Sequence, residues 1–177
     1  MTIIAALLMA AGRGSRFGAE TPKQYLPLLG RPVIRHAAEA LLAEGRVDLL
    51  LPVVAEGEAP RVAGLLEGLP ALAAVAGGAT RQASVRAGLE ALAARDPRPE
   101  VVLVHDAARP VVPPGTLPRL LAALAEASGA IPAQPVADTL KRGIAGRIAE
   151  TVPRAGLYRA QTPQAFRFGA LLAAHRA

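Results

Sequence analysis

The sequence predicts an α/β fold, a mostly parallel sheet flanked by helices, with a protruding β-arm late in the chain. Three observations carry that expectation. Apolar runs of strand length recur at residues 3–9, 47–54 and 100–104. Segments with apolar residues three and four apart separate them. After Gly129 the pattern changes to a loose two-residue alternation around a glycine turn. Strand and helix units in alternation favour a parallel sheet joined by right-handed crossovers.

The first run, residues 3–9, has no polar position, as a strand buried on both faces requires. It breaks into Gly12-Arg13-Gly14-Ser15-Arg16-Phe17-Gly18. Glycine lets a backbone turn with positive φ and lets a ligand come close. Successive N–H groups in such a loop can cradle an anion. Arg16 and Lys23 lie within reach of the same space. The spacing G-x-G-x-x-x-G is one residue off the dinucleotide fingerprint, and no G-x-x-x-x-G-K-[ST] occurs. The loop by itself therefore reads either as a phosphate site or as a tight strand-to-helix turn with solvated arginines.

Pro32 opens a helix whose apolar positions 33, 34, 37, 38, 41 and 42 follow helical spacing, and Gly45 is its expected stop. His36 reads as a packing or surface residue. Residues 47–54 form the second strand, with Pro52 marking an edge, a bulge or its terminus. Residues 58–69 suit a short helix weakened by Gly64 and Gly68. Residues 73–76 form a short strand ending at Gly77-Gly78. Ser84 reads as the N-cap of a helix over 85–95. After a turn at 96–99, the strand at 100–104 runs straight into His105-Asp106-Ala107-Ala108-Arg109-Pro110. Residues 113–128 form an amphipathic helix closed by Gly129.

Residues 134–142 and 147–152 then make a hairpin about a turn at 143–146. An isolated hairpin is marginal in water, so an arm at 134–156 suggests a dimer. Residues 157–160 make one more strand, and 161–166 lead into a last helix at 169–175. Ligands of open parallel sheets sit beyond the carboxyl ends of the strands. That rule places 12–18, 77–78 and Asp106 along one rim. A carboxylate closing a buried strand needs a partner. Mg²⁺ takes one or two carboxylates plus phosphate oxygens, which suits Asp106.

A length of 177 residues suits one domain, 1–177, able to bury roughly 70% of its unfolded surface. The absence of cysteine excludes disulfides, thiolate metal sites and thiol nucleophiles, and fits a cytoplasmic protein. Met1 enters a strand without a basic leader, so no signal peptide is expected. No apolar run approaches the ~20 residues of a membrane helix. The net charge of +6 comes mostly from arginine, since Lys23 and Lys141 are the lysines. The basic residues are scattered and aromatics are 3%, so neither a nucleic-acid groove nor a base-stacking platform is expected.

Taken together, LLMAAGRGSRFG, PKQYLPLLGRPV, GGATRQASVRAGL, VLVHDAARP, PVADTLKR and ETVPRAGLYRAQTPQAF resemble the 2-C-methyl-D-erythritol 4-phosphate cytidylyltransferases of isoprenoid biosynthesis. The resemblance covers nearly the whole chain. VHDAARP, DTLKR and the R-A-Q-T-P-Q-x-F string are its most specific parts. It implies a Rossmann-like sheet and transfer of CMP from CTP to 2-C-methyl-D-erythritol 4-phosphate, with release of pyrophosphate. It implies Mg²⁺ or another divalent cation, and a homodimer with exchanged β-arms. By resemblance Arg16, Lys23 and Arg154 are catalytic, and Ala10, Ala11, Gly12, Gly14, Gly78 and Ser84 bind the nucleotide. Asp106, Arg109, Thr139, Arg154 and Thr162 bind the substrate, and Asp106 also holds the metal.

These residue types suit that chemistry. Two anions must be neutralised and aligned in line. A hydroxyl with a guanidinium fork makes a phosphate clamp. A phosphate nucleophile is already charged, so His105 is expected to pack rather than to act as a base. Ala79 departs from the family, where many members carry Asp. Family members continue past the last helix with a further lysine in an N-I-K-like string, which these residues do not include. Some also fuse a cyclodiphosphate synthase to the transferase. The competing expectations are transfer to another polyol phosphate, such as ribitol 5-phosphate, and a non-catalytic nucleotide-binding module.

Overall fold

The computed structural model describes residues 2–12 and 21–177. Strand β1 (Ile4–Ala10) alternates between two cores: Ile4, Ala6, Leu8 and Ala10 enter one, Ala5 and Leu7 the other. An unbroken apolar run is what the middle layer of a three-layer fold needs. A short 3₁₀ turn (Lys23–Tyr25) and a small ribbon, β2 (Pro27–Leu28) with β3 (Arg31–Pro32), lead into α1 (Val33–Leu42). The apolar stripe of α1 places Ile34, Ala37, Ala38 and Leu41 in the first core.

The chain continues through β4 (Leu49–Val54), α2 (Ala59–Leu65), β5 (Val75–Ala76), α3 (Arg81–Ala93), β6 (Val101–Asp106) and α4 (Thr116–Ala123). Strands β7 (Gly129–Ala130) and β8 (Ala133–Pro135) follow, then the hairpin of β9 (Leu140–Ile144) and β10 (Arg147–Val152). The chain ends with β11 (Tyr158–Ala160), β12 (Gln164–Arg167) and α5 (Phe168–Arg176). Among the described residues, six strands form the central sheet in the order β5-β4-β1-β6-β12-β7. The first four run parallel, and β12 pairs antiparallel with both neighbours. Helices α1, α2 and α4 cover one face through Ile34, Val62 and Leu117, while α3 and α5 cover the other through Leu89 and Leu172. Helix α3 lies very close to the sheet. A Cβ at Gly88 would stand 2.8 Å from Leu7 Cδ2 and 2.9 Å from Val53 Cγ2.

Several expectations need correction. Residues 58–69 yield only Ala59–Leu65 as helix, and 113–128 only Thr116–Ala123. Gly129 opens β7 instead of closing that helix. The segment 161–166 is no mere lead-in, because Gln164–Arg167 forms a sheet strand. The alternation over 134–142 is two strands with different partners: β8 pairs with β11, and β9 with β10. The hairpin turn is tight, with Ala145 and Gly146 both at positive φ, 48° and 76°. Such a pair matches the twist of a two-residue hairpin connection.

Pro52 sits within β4, between β5 and β1, and not at an outer edge. The carbonyls of Leu50 and Val54 accept from Leu72 and Gly77 on the β5 side. Pro52 has the same parity, so its missing N–H falls on that side. Pairing there lapses between the Leu50–Ala71 bridge and the Val53–Val75 pair, and no ladder bond is lost. Among the described residues, no helix is long and apolar enough to cross a membrane.

Candidate functional site

Strands β1 and β6 lie side by side, with Met9 opposite Asp106. From β1 the chain builds outwards to β4 and β5, then returns over α3 to place β6 on the other side. The crevice outside the carboxyl ends at such a reversal is a natural ligand site. A cleft of about 1190 Å³ opens there. Its walls include Ala10, Ala11 and Gly12 after β1, Lys23 and Gln24 from the 3₁₀ turn, and Gly77 to Arg81 with Ser84 before and within α3. Glu56, Asp106 and Arg109 add charged groups to the lining.

Local bonding holds these walls in place. Buried Gln24 donates through Nε2 to the carbonyls of Ala10 at 2.8 Å and Gly12 at 3.1 Å, pinning the exit of β1. A Cβ on Gly77 would lie 2.7 Å from both Ala11 Cβ and Ser84 Oγ, so only glycine lets these segments converge. The N-cap of α3 is Thr80, not Ser84: Thr80 Oγ1 accepts from Ala83 N–H at 3.0 Å. Ser84 lies inside the first turn. Its Oγ accepts from Gly78 N–H at 3.1 Å and faces the carbonyls of Thr80 and Gly78 at 2.9 and 3.2 Å. That exchange shapes the Gly78 corner.

Asp106 is the hub of the charged wall. Arg81 Nη1 reaches its Oδ1 at 2.5 Å, and Arg109 Nε reaches its Oδ2 at 3.2 Å. Arg109 Nη1 also donates to Gln161 Oε1 at 2.5 Å. Among the described residues, the cleft gathers Lys23, Arg81 and Arg109 around Asp106 and Glu56. An excess of cations at strand ends suits a polyanion. Two carboxylates on an open wall are hard oxygen donors. No cluster of three or more His, Cys, Asp or Glu is present among the described residues, so a divalent ion there would need ligand oxygens and water to complete its shell.

His105 is fully buried behind this wall. Its Nε2 lies 3.0 Å from the Arg109 carbonyl, which can only accept, so Nε2 carries the ring proton. Its Nδ1 accepts from Thr162 Oγ1 at 3.0 Å. Burial pushes the imidazole pKa below its ordinary value near 6.5 and outweighs the opposing pull of Arg109's carbonyl. The folded protein thus resists protonation that the unfolded chain accepts. This contribution to stability is complete above about pH 6.5 and is lost as pH falls from there to the depressed folded value, with a slope of at most about 1.4 kcal/mol per pH unit. Thermal melts between pH 7.5 and pH 5, an interval that starts above the ordinary value near 6.5 and runs below it, are expected to show this slope. His105→Gln should flatten it, and an unchanged slope would remove His105 as its source.

The structure brings Ala10, Ala11, Gly12, Lys23, Gly78, Ser84, Asp106 and Arg109 to one cleft. Gly14 and Arg16 lie outside the described residues. Thr162 is 8% exposed and sits beneath the cleft wall. Thr139 and Arg154 belong to the arm, where an Arg154 guanidinium nitrogen donates to the Ala137 carbonyl. Sequence reasoning passed over Gln24, Thr80, Arg81 and Gln161. Thr80 had a legible signal, since a hydroxyl residue shortly after a glycine pair suits a helix start. Gln24, Arg81 and Gln161 had none, because their partners are set by the fold.

The IspD family model, 2-C-methyl-D-erythritol 4-phosphate cytidylyltransferase, matches residues 4–177. The bifunctional enzyme IspD/IspF of Granulibacter bethesdensis is 59% identical over 173 residues, 98% of this chain and 44% of its own length. The 2-C-methyl-D-erythritol 4-phosphate cytidylyltransferase of Cereibacter sphaeroides strain KD131 is 52% identical over 176 residues, 98% of this chain and 76% of its own. The crystal structure of 2-C-methyl-D-erythritol 4-phosphate cytidylyltransferase from Thermus thermophilus matches with a TM-score of 0.76 at 35% identity, covering 99% of this chain and 75% of that one. The chain spans less than half the length of the bifunctional relatives it matches. With the family model matched from Ile4 to the last residue, this chain belongs to the 2-C-methyl-D-erythritol 4-phosphate cytidylyltransferase family.

Proposed function

We propose that the chain transfers CMP from CTP to 2-C-methyl-D-erythritol 4-phosphate and releases pyrophosphate. The observation that carries this reading is the cation-lined cleft at the β1–β6 reversal, in a chain of this family. An acceptor phosphate oxygen attacks the α-phosphorus, a new P–O–P linkage forms, and the α–β bridge breaks with its electron pair leaving on pyrophosphate. No proton need be removed from the nucleophile. Lys23 and Arg16 offset charge on the triphosphate as it reorganises. Ala10, Ala11, Gly12, Gly14, Gly78 and Ser84 hold the nucleotide, with backbone groups reading the amino donor and ring acceptors of cytosine. Asp106 holds Mg²⁺ or a similar ion, which when bound neutralises phosphate charge. Arg109, with Thr139 and Arg154, binds the acceptor phosphate.

The arm supports a homodimer with exchanged β-arms, Thr139 and Arg154 coming from a second copy. Ile144 and Ile148 are 63% and 71% exposed on a ribbon that, among the described residues, joins neither buried apolar cluster. Sedimentation at micromolar concentration is expected to show a dimer, and monomer alone would overturn the exchange.

The reaction is tested by pyrophosphate release with CTP and Mg²⁺, offering 2-C-methyl-D-erythritol 4-phosphate and ribitol 5-phosphate in parallel. Release with the first only, abolished by chelator, is expected. Release with ribitol 5-phosphate only would keep the mechanism and change the substrate. CTP binding without release from either acceptor would overturn the activity of this chain.

A further inference from the structure

We propose that His105 and Thr162 are positioning residues, a buried hydrogen-bond relay that fixes the Asp106–Arg109 turn from behind the cleft. Gln164–Val104 is the last pair of the β12–β6 ladder towards the cleft. Past it, the Asp106 N–H donates to Thr162 Oγ1 at 3.3 Å, so a side chain extends the pairing where the strand has ended. That hydroxyl passes its own proton to His105 Nδ1 at 3.0 Å, and His105 Nε2–H donates to the Arg109 carbonyl at 3.0 Å. The relay therefore joins the N–H that opens the turn to the C=O that closes it. The turn's own bond, Arg109 N–H to Asp106 O at 2.9 Å, completes a closed ring of contacts. Gln161, beside Thr162, holds the Arg109 guanidinium at 2.5 Å, so one short segment orients both backbone and side chain.

Neither relay residue lines the cleft, and both are buried. Water does not compete for these bonds, and a broken one leaves a buried polar group unpaired at substantial cost. Arg109 binds the acceptor phosphate under the proposed reaction, and the inference rests on that assignment for its kinetic consequence. The relay thus acts on the acceptor through Arg109, whose carbonyl it holds, and makes no contact with the nucleotide walls at Gly12 and Gly78.

Thr162→Val keeps the side chain's shape and removes its hydroxyl, while Thr162→Ser retains the hydroxyl. Amide exchange at Asp106 is expected to accelerate about tenfold or more in Thr162→Val, the equivalent of one lost hydrogen bond. The KM for the acceptor is expected to rise about 10- to 100-fold, the usual effect of removing a supporting partner. The KM for CTP should stay within about twofold. Thr162→Ser should recover both exchange and acceptor KM. His105→Gln, which retains a donor for the Arg109 carbonyl and loses the ring acceptor, should give the same acceptor-selective defect and serves if Thr162→Val does not fold.

Unchanged exchange at Asp106 would overturn the relay, as would a Thr162→Ser defect equal to that of Thr162→Val. Parallel rises in both KM values would do the same, since general loosening and not positioning would then be at work. If the wild-type chain transfers to no acceptor, the proposed reaction fails, and the exchange measurement still decides the relay.

Discussion

Asp106→Asn is expected to lower kcat for CMP transfer by about 10²–10³-fold, the usual cost of removing one preorganised electrostatic group from a site. The substitution keeps size and removes charge. In the wild type that charge faces two guanidiniums, Arg81 at 2.5 Å and Arg109 at 3.2 Å. Asparagine can accept from one of them and cannot neutralise either. The cleft gains positive charge, so binding of metal-free CTP measured by calorimetry should hold or tighten while turnover with Mg²⁺ collapses. A loss confined to kcat marks an interaction made in the transition state. The thermal midpoint should move little, because the Arg81 and Arg109 side chains are 55% and 42% exposed and exposed ion pairs contribute little. Turnover within about fivefold of wild type, far short of the loss expected for such a group, would remove Asp106 from the machinery.

Leu103→Ala should produce the largest loss of stability, about 2–5 kcal/mol by chemical denaturation. For a chain of this size that corresponds to roughly 5–15 °C in the thermal midpoint. Leu103 is fully buried on β6. Its register neighbours are Ala6 on β1 and Ala165 on β12, so one leucine fills the space that two alanines leave. Ladders on both sides hold the β6 backbone, and the site cannot collapse around the missing atoms. A cost below about 1 kcal/mol would mean that the sheet relaxes more readily than its register implies. Because β6 also delivers His105 and Asp106 to the cleft, partial loosening should reach activity before unfolding does.

Much of the architecture was legible in the chain itself. Residues 3–9 and 100–104 read as buried strands because nearly every position is apolar, and β1 and β6 have cores on both faces. The apolar stripe at 33–42 became α1. The rim rule needed only strand ends, and Gly12, Gly77 and Asp106 do line one cleft. These features are local: a period of two or 3.6, or a glycine after an apolar run, acts over a few residues.

What the sequence hid depends on pairing across distance. Strand β12 is four residues long and becomes a strand only by lying between β6 and β7. Strands β8 and β9 sit in one alternating stretch, and their separate partners, β11 and β10, divide it. Thr80 and Ser84 are both plausible caps, and the contact of Ser84 with Gly78 leaves the cap to Thr80. Arg81 meets Asp106 across 25 residues, Arg109 meets Gln161 across 52, and His105 meets Thr162 across 57. The sequence by itself determined the buried strands at 3–9 and 100–104, the stripe of α1 and which strand ends face the cleft, because burial periodicity is written residue by residue. Only the tertiary structure decided which polar groups meet, because a hydrogen bond acts within about 3 Å and the chain supplies that proximity only once the strands are ordered.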